Sequence, residues 1–425
     1  MKKKILLPII VAAIIISALL VTSCIKQKCT DTLVKYKYTA QYQPMSALRN
    51  IQVQAPKAIN KAGKIFVKDN YLFIAEIYEG FHVINNTNPA NPIKIAFVKV
   101  PGIIDIVGNG NFIFVDNYLD LLTFNISNPS AIVLASRTTN ALPKRMFNYG
   151  LADMDSNNVI TGFVKTIETT EQNCNIINTN PRGGWGWAVI DAGASFSNTP
   201  RNNNSSNNTG KTGSLSRFTV NNNYLYCLAQ SNITPINITN PLLPTVMPKV
   251  LVTNGETLLA YNNALFMGSP NGMFVYTLTN PNIPTYVSAI THFRGCDPVA
   301  IEGNKAYVTI RGGGACGSAN NQLDIVDITT ITAMRLLKTY QLTNPYGVGV
   351  ANNIVAVCDG TAGLKILNVA DVNNIELKAN LTNEKAFDVI MDNNLAILIG
   401  ADGLYQYNIA NPANPTLVSK INITN

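Results

Sequence analysis

Apolar and polar residues alternate along most of the chain in short runs, each ended by a turn rich in Asn, Gly or Pro. This period of two is the signature of strands that turn opposite faces to different surroundings. Residues 81–98 read FHVINNTNPANPIKIAFV, and residues 404–420 read LYQYNIANPANPTLVSK. Both hold an alternating run, then Asn-Pro-Ala-Asn-Pro, then a second alternating run.

A second marker makes the repetition countable. A turn Asn precedes a short aromatic or β-branched run at Asn70, Asn111, Asn223, Asn263, Asn304, Asn353 and Asn394, with successive spacings of 41, 112, 40, 41, 49 and 41 residues. Asn and Gly tolerate positive φ, so each site suits a two-residue hairpin turn. Asn-Pro follows 18 or 19 residues later in five units, at Pro89, Pro129, Pro241, Pro281 and Pro412; Thr330 and Asp371–Val372 stand near that place in the other two. Each unit thus predicts four short strands, in the first unit near 64–68, 71–76, 81–85 and 93–99. Four strands in about 40 residues make a β-propeller blade, and stacked blades bury the faces that one blade leaves open. The expected fold is all-β, a seven-bladed β-propeller over residues 45–425, whose first and last blades meet when the ring closes.

One spacing exceeds the period, and its surplus falls near 140–213, between the second and third blades. It is expected as an insertion, with a degenerate eighth blade as the alternative. It holds VITGFVKTIETTE (159–171), readable as two irregular strands, and RGGWGW (182–187) with both tryptophans, suited to stacking on a sugar ring or to clamping the insertion. The polar run NTPRNNNSSNNTGKTG (198–213) reads as a loop.

QLDIVDIT (322–329), GLKILNVA (363–370), GLYQYNIA (403–410) and the Asn-Pro continuations resemble the LVIVD repeat of exported propeller proteins, many of them lipoproteins of the Bacteroidota. The resemblance implies fold and export. It carries over no catalytic residue.

The N-terminus extends the picture. Lys2, Lys3 and Lys4 precede a charge-free apolar stretch, Ile5–Val21, and then Val-Thr-Ser-Cys24. This resembles a bacterial lipoprotein signal, with residues 1–23 removed and Cys24 lipidated; an uncleaved membrane anchor is the alternative. Either tethers the chain to a membrane. Residues 24–44 read as a lipidated linker. The basic stretch IKQKC (25–29) favours a periplasm-facing outer-membrane protein over a surface-exposed one, since surface lipoproteins of the resembled group carry acidic residues there.

The net charge is +8, but the 32 Lys and Arg residues are scattered without a basic, aromatic-interleaved run, which argues against nucleic acid. A monomeric ring with a protein or glycan partner is the expected form. Cys227 and Cys358 lie inside strand patterns as small hydrophobes. Cys296, at the entry to the fifth blade's first strand, and Cys316, within the enlarged loop 310–321 after its second strand, fall on one face and suit a disulfide, with free buried thiols as the alternative. The two histidines, His82 and His292, fall in different blades, and no nucleotide loop or nucleophile elbow is present.

Candidate chemistry rests on register. Six residues before each turn Asn stand Lys64, Asp105, Arg217, Thr257, Pro298, Gly347 and Asp388, each followed by an apolar residue. First strands line a propeller's channel. Lys64, Asp105, Arg217 and Asp388 are therefore expected as a mixed-charge ring at one mouth, with Asp297 beside it and Glu76, Asp359 and Arg311 facing the same side. These charges either bind a ligand or pair with one another and seal the channel. The register also admits a structural calcium on Asp105 and Asp388; no other cofactor is expected. The main functional expectation is a non-enzymatic binding or scaffold module. The alternative is a polysaccharide-active enzyme using Asp105, Asp297 and Asp388.

Overall fold

The structure, a computed structural model, describes residues 30–145, 157–173, 211–212, 214–291, 298–312 and 320–424. The chain divides into two compact units, 1–40 with 163–190 and 41–162 with 191–425. The described part of the first belongs to a two-stranded sheet in which Thr30–Pro44 pairs with Asn158–Asn173. Two expectations change here. Most of the supposed linker 24–44 is strand, because KYKYTAQY alternates like the blades. Residues 159–171 form one long strand rather than two, and no eighth blade arises among the described residues.

The second unit is a seven-bladed propeller, with blades 1 to 7 at 62–99, 106–138, 218–251, 257–291, 299–341, 348–381 and 386–422. All seven Asn sites are two-residue hairpins. The residue before the Asn takes φ of 50° to 58° in each: Asp69, Gly110, Asn222, Asn262, Gly303, Asn352 and Asn393. The carbonyl of the turn Asn then accepts the N–H just beyond the third strand, as in Asn86 N to Asn70 O at 2.7 Å and Ile409 N to Asn394 O at 2.8 Å. One short turn therefore ties three strands.

The Asn-Pro sites are Asx-type turns. Asn88 Oδ1 accepts from Ala90 N at 3.1 Å, and Asn411 Oδ1 accepts from Ala413 N at 3.2 Å. Asp371 fills the role in blade 6, accepting from Asn373 N at 2.9 Å, which explains how that blade lacks Asn-Pro and keeps its turn. The Pro fixes the turn, and its carbonyl keys into the preceding blade: Ser136 Oγ donates to Pro241 O at 3.3 Å and Tyr226 OH to Pro281 O at 3.0 Å. Asn280→Ala removes one such acceptor at an exposed turn and is expected to lower unfolding free energy by about 1 kcal/mol, read by urea denaturation; no shift in midpoint would contradict the role.

Between each pair of adjacent blades lies one apolar layer, so every blade is buried on both faces. Alternate residues of one strand serve opposite layers: Phe66 packs with blade 2, while Ile65 and Val67 pack with Ile390 and Ile397 of blade 7. The ring closes as the repetition implies. Gln406 and Asn86 exchange amide bonds at 2.9 and 2.8 Å, Gln406 Nε2 also donates to Pro89 O at 3.2 Å, and Ile59 bridges Ile423 in parallel.

Candidate functional site

The centre of the ring is occupied by the chain itself. Lys211–Thr212, the return limb of the insertion, adds as an innermost strand to blade 1, pairing with Val67 and Phe66. Ser214, Leu215 and Ser216 follow, all buried. The charged residues at the channel mouth are built around this segment. Ser214 donates to Asp388 Oδ1 of blade 7 through its Oγ at 3.0 Å and its N–H at 3.3 Å. The Lys64 ammonium of blade 1 donates to the Leu215 carbonyl. Ser216 Oγ donates to Asp105 Oδ1 of blade 2 at 2.8 Å, and Arg217 N donates to Asp105 Oδ2 at 2.6 Å. Leu258 N of blade 4 donates to Ser216 O at 3.0 Å. Gly347 opens blade 6 without a side chain because a Cβ there would stand 2.7 Å from Asp388 Oδ1.

The structure departs from the expected mixed-charge ring in two ways. Lys64, Asp105 and Asp388 do converge, but on a plug of backbone and hydroxyls. Arg217 reaches Asp105 through its backbone, and its side chain is exposed. Burial drives the Lys64 ammonium below its ordinary range, against the pull of Asp105 and Asp388, with Arg217 lowering it further. Burial likewise pushes Asp388 up, opposed by Lys64 and the bond from Ser214. Burial therefore weakens the charged form of each without abolishing it.

Glu76, Asp359 and Arg311 sit in separate local arrangements. Glu76 Oε2 lies 2.5 Å from His82 Nε2 and 3.5 Å from Lys57 Nζ, and Asn60 Nδ2 donates to its Oε1 at 3.3 Å. Burial would raise this carboxyl, but its bonds to His82 and Lys57 outweigh burial and hold it below the usual range. Asp359 accepts from Thr343 N at 2.9 Å, from Asn344 N at 2.7 Å and from the Lys365 ammonium. The Arg311 guanidinium lies 4.2 Å over the Tyr346 ring. Cys24, Cys296, Asp297 and Cys316 lie outside the described residues, as do His292 and both tryptophans. Cys227 and Cys358 are free and buried, and burial pushes both thiols well up.

Sequence reasoning passed over three groups. His82 has a carboxylate partner: His82 pairs with Ile74 across the hairpin, so Glu76, two residues on, shares its face. Asp116 occupies a place that is apolar or small in most other blades. Its Oδ1 accepts from Ile104 N and Asp105 N, both at 2.8 Å, and burial pushes its carboxyl up to about 7. Asp120 is buried between Arg49 and Arg137. Among the described residues no cluster of three His, Cys, Asp or Glu side chains could hold a metal ion. Asp105 and Asp388 direct their oxygens to the plug.

Comparison with known proteins bears on the blades. The LVIVD repeat matches residues 60–99, 104–140 and 296–341. The chain carries LVIVD repeats. The matches cover blades 1, 2 and 5, so QLDIVDIT lies within one, whereas GLKILNVA and GLYQYNIA lie outside. No curated protein matches the sequence. Among solved structures, Sqt1 of Saccharomyces cerevisiae has a TM-score of 0.51 at 9% identity, covering 88% of each chain. The computationally designed protein Ika8 has a TM-score of 0.49 at 9% identity, over 86% of this chain and 88% of that one. At such identity the likeness to Sqt1 concerns the fold alone.

Proposed function

We propose that this LVIVD-repeat propeller is a non-enzymatic binding or scaffold module for a protein or glycan, tethered outside the cytoplasm through a lipid on Cys24. Outer-membrane attachment with a periplasm-facing ring fits the basic stretch after Cys24, and the reading needs no cofactor. The observation that carries it is the plug. Asp105 and Asp388, two of the three carboxylates that polysaccharide chemistry would use, already accept bonds from Ser214, Ser216 and the Arg217 backbone. A carboxylate that acts on substrate must instead reach the reacting atom with its oxygens. Recognition then falls to the loops and outer surfaces of the blades.

Affinity capture of the C-terminally tagged chain from gently solubilised membranes tests this. The expected result is one partner, protein or glycan, in near-equal amount, retained by a folded Asp105→Asn/Asp388→Asn variant. Polysaccharide cleavage by the native chain that disappears in that variant would overturn the proposal.

A further inference from the structure

A second place on the propeller is shaped to receive a ligand. The short helix Met45–Leu48 packs Met45 and Leu48 against Tyr118, Leu119 and Val159 beside blade 2. Between that helix and the end of blade 2 lies a cavity of about 350 Å³, lined by Pro44, Met45, Ser46, Arg49, Thr139, Asn140 and Asn157. That is room for one monosaccharide ring, at the small end of ligand sites.

The charge beside it is unbalanced. Buried Asp120 receives Arg49 Nε at 2.8 Å and Nη2 at 3.3 Å, Arg137 Nη1 at 2.9 Å, and the Asn140 N–H at 3.0 Å. Arg137 Nη2 donates to the Arg49 carbonyl at 3.1 Å, which holds the two arginines together. Among the described residues two guanidiniums thus answer one carboxylate, which leaves a net positive charge at the cavity wall. Arg49 is the member that lines the cavity. Its Nε and Nη2 are fixed by Asp120, and its Nη1 has no bond to the described residues. The hydroxyls of Ser46 and Thr139 and the side-chain amide of Asn140 also line the wall without a bond to the described residues. A pre-oriented guanidinium suits a carboxylate, whereas hydroxyls and an amide suit sugar hydroxyls. Pro44, which is exposed, adds a small apolar surface for a ring face.

We propose that this cavity binds a sugar acid, with its carboxylate on Arg49 Nη1 and its ring hydroxyls on Ser46, Thr139 and Asn140. The inference rests on the binding-module reading with a glycan ligand, and it moves the contact from the channel mouth to the junction of the Met45–Leu48 helix with blade 2.

Titration calorimetry of the full chain in detergent micelles tests it, with sodium glucuronate, glucose and inorganic phosphate as probes. Glucuronate is expected to bind about tenfold more tightly than either glucose or phosphate. A Ser46→Ala/Thr139→Val variant, altered only at exposed groups, is expected to weaken glucuronate about tenfold with an unchanged melting temperature. Arg49→Lys, which keeps a cation beside Asp120 but loses the fork, is expected to abolish the preference for glucuronate over glucose. Absent glucuronate binding, equal binding of glucose or phosphate, or an unaffected double variant would each overturn the proposal. Capture of a stoichiometric partner by that double variant would leave the binding-module reading standing while the cavity assignment fell.

Discussion

Lys64→Ala is expected to lower unfolding free energy by about 3 kcal/mol at pH 8. The ammonium is buried, is attracted by Asp105 and Asp388, and donates to the Leu215 carbonyl. Removing it takes the attracting cation from two buried carboxylates, which keep their bonds from Ser214, Ser216 and Arg217, and leaves the Leu215 carbonyl without its donor. The same loss should ease in acid. Asp388 is already pushed up by burial, and without Lys64 it rises further, so protonation below its raised pKa cancels part of the stranded charge. Urea denaturation at pH 5 and pH 8 reads both effects. A smaller cost at pH 5 is expected. A cost under about 1 kcal/mol at both pH values would place Lys64 in water rather than against the plug.

The pH dependence carried by Asp116 is the second large effect. Its carboxyl titrates at about 7 in the folded chain against 3.8 as its ordinary value. Between those values the folded state holds a proton that the unfolded state has lost. Stability from this group is therefore fully present below about pH 4 and falls as pH rises through about 7, by as much as about 4 kcal/mol. Lys64 acts at higher pH and in the opposite sense, because burial makes the folded state release its proton first. Asp388 runs parallel to Asp116, so a native pH profile alone does not separate them. Asp116→Asn does. Both backbone donors meet the single oxygen Oδ1, which asparagine retains. The variant is expected to be about as stable as the native chain at pH 4.5 and more stable at pH 8, by roughly 2–4 kcal/mol. Parallel stability profiles for the two proteins would show that Asp116 is solvated.

The blades were legible because their determinants are local and repeated. The turn Asn follows a positive-φ residue, Asn-Pro makes an Asx turn, and burial on both faces writes alternating apolar runs. Even the drift at Asp371 had a physical reading, since Asp offers the same side-chain oxygen as Asn. Lys64, Asp105 and Asp388 were legible as polar residues at one register, and they do come together. What they come together on was not. Lys211–Thr212 is a two-residue strand, too short to show any period, and Ser214–Ser216 reads Ser-Leu-Ser, too short and mixed to carry a signal. Their place is set by pairing with Phe66 and Val67, more than 140 positions earlier in the chain. Arg217 failed in a different way: its register is right, but the plug feeding directly into blade 3 brings its backbone to Asp105 and turns its side chain outward. Asp116 and Glu76 carried signals that a comparison of the blades position by position, and a count across the hairpin, would have exposed.

Hydrogen exchange of the segment 211–217 tests the plugged channel most directly. The N–H groups of Ser214 and Arg217 are bonded to buried aspartates, and Lys211–Thr212 is part of a sheet. Protection comparable to that of the first strands of blades 1 and 2 is the predicted result, exchanging only when the ring itself opens. Exchange at the rate of a free loop would contradict it. The channel would then be open, and its aspartates would be available to a ligand.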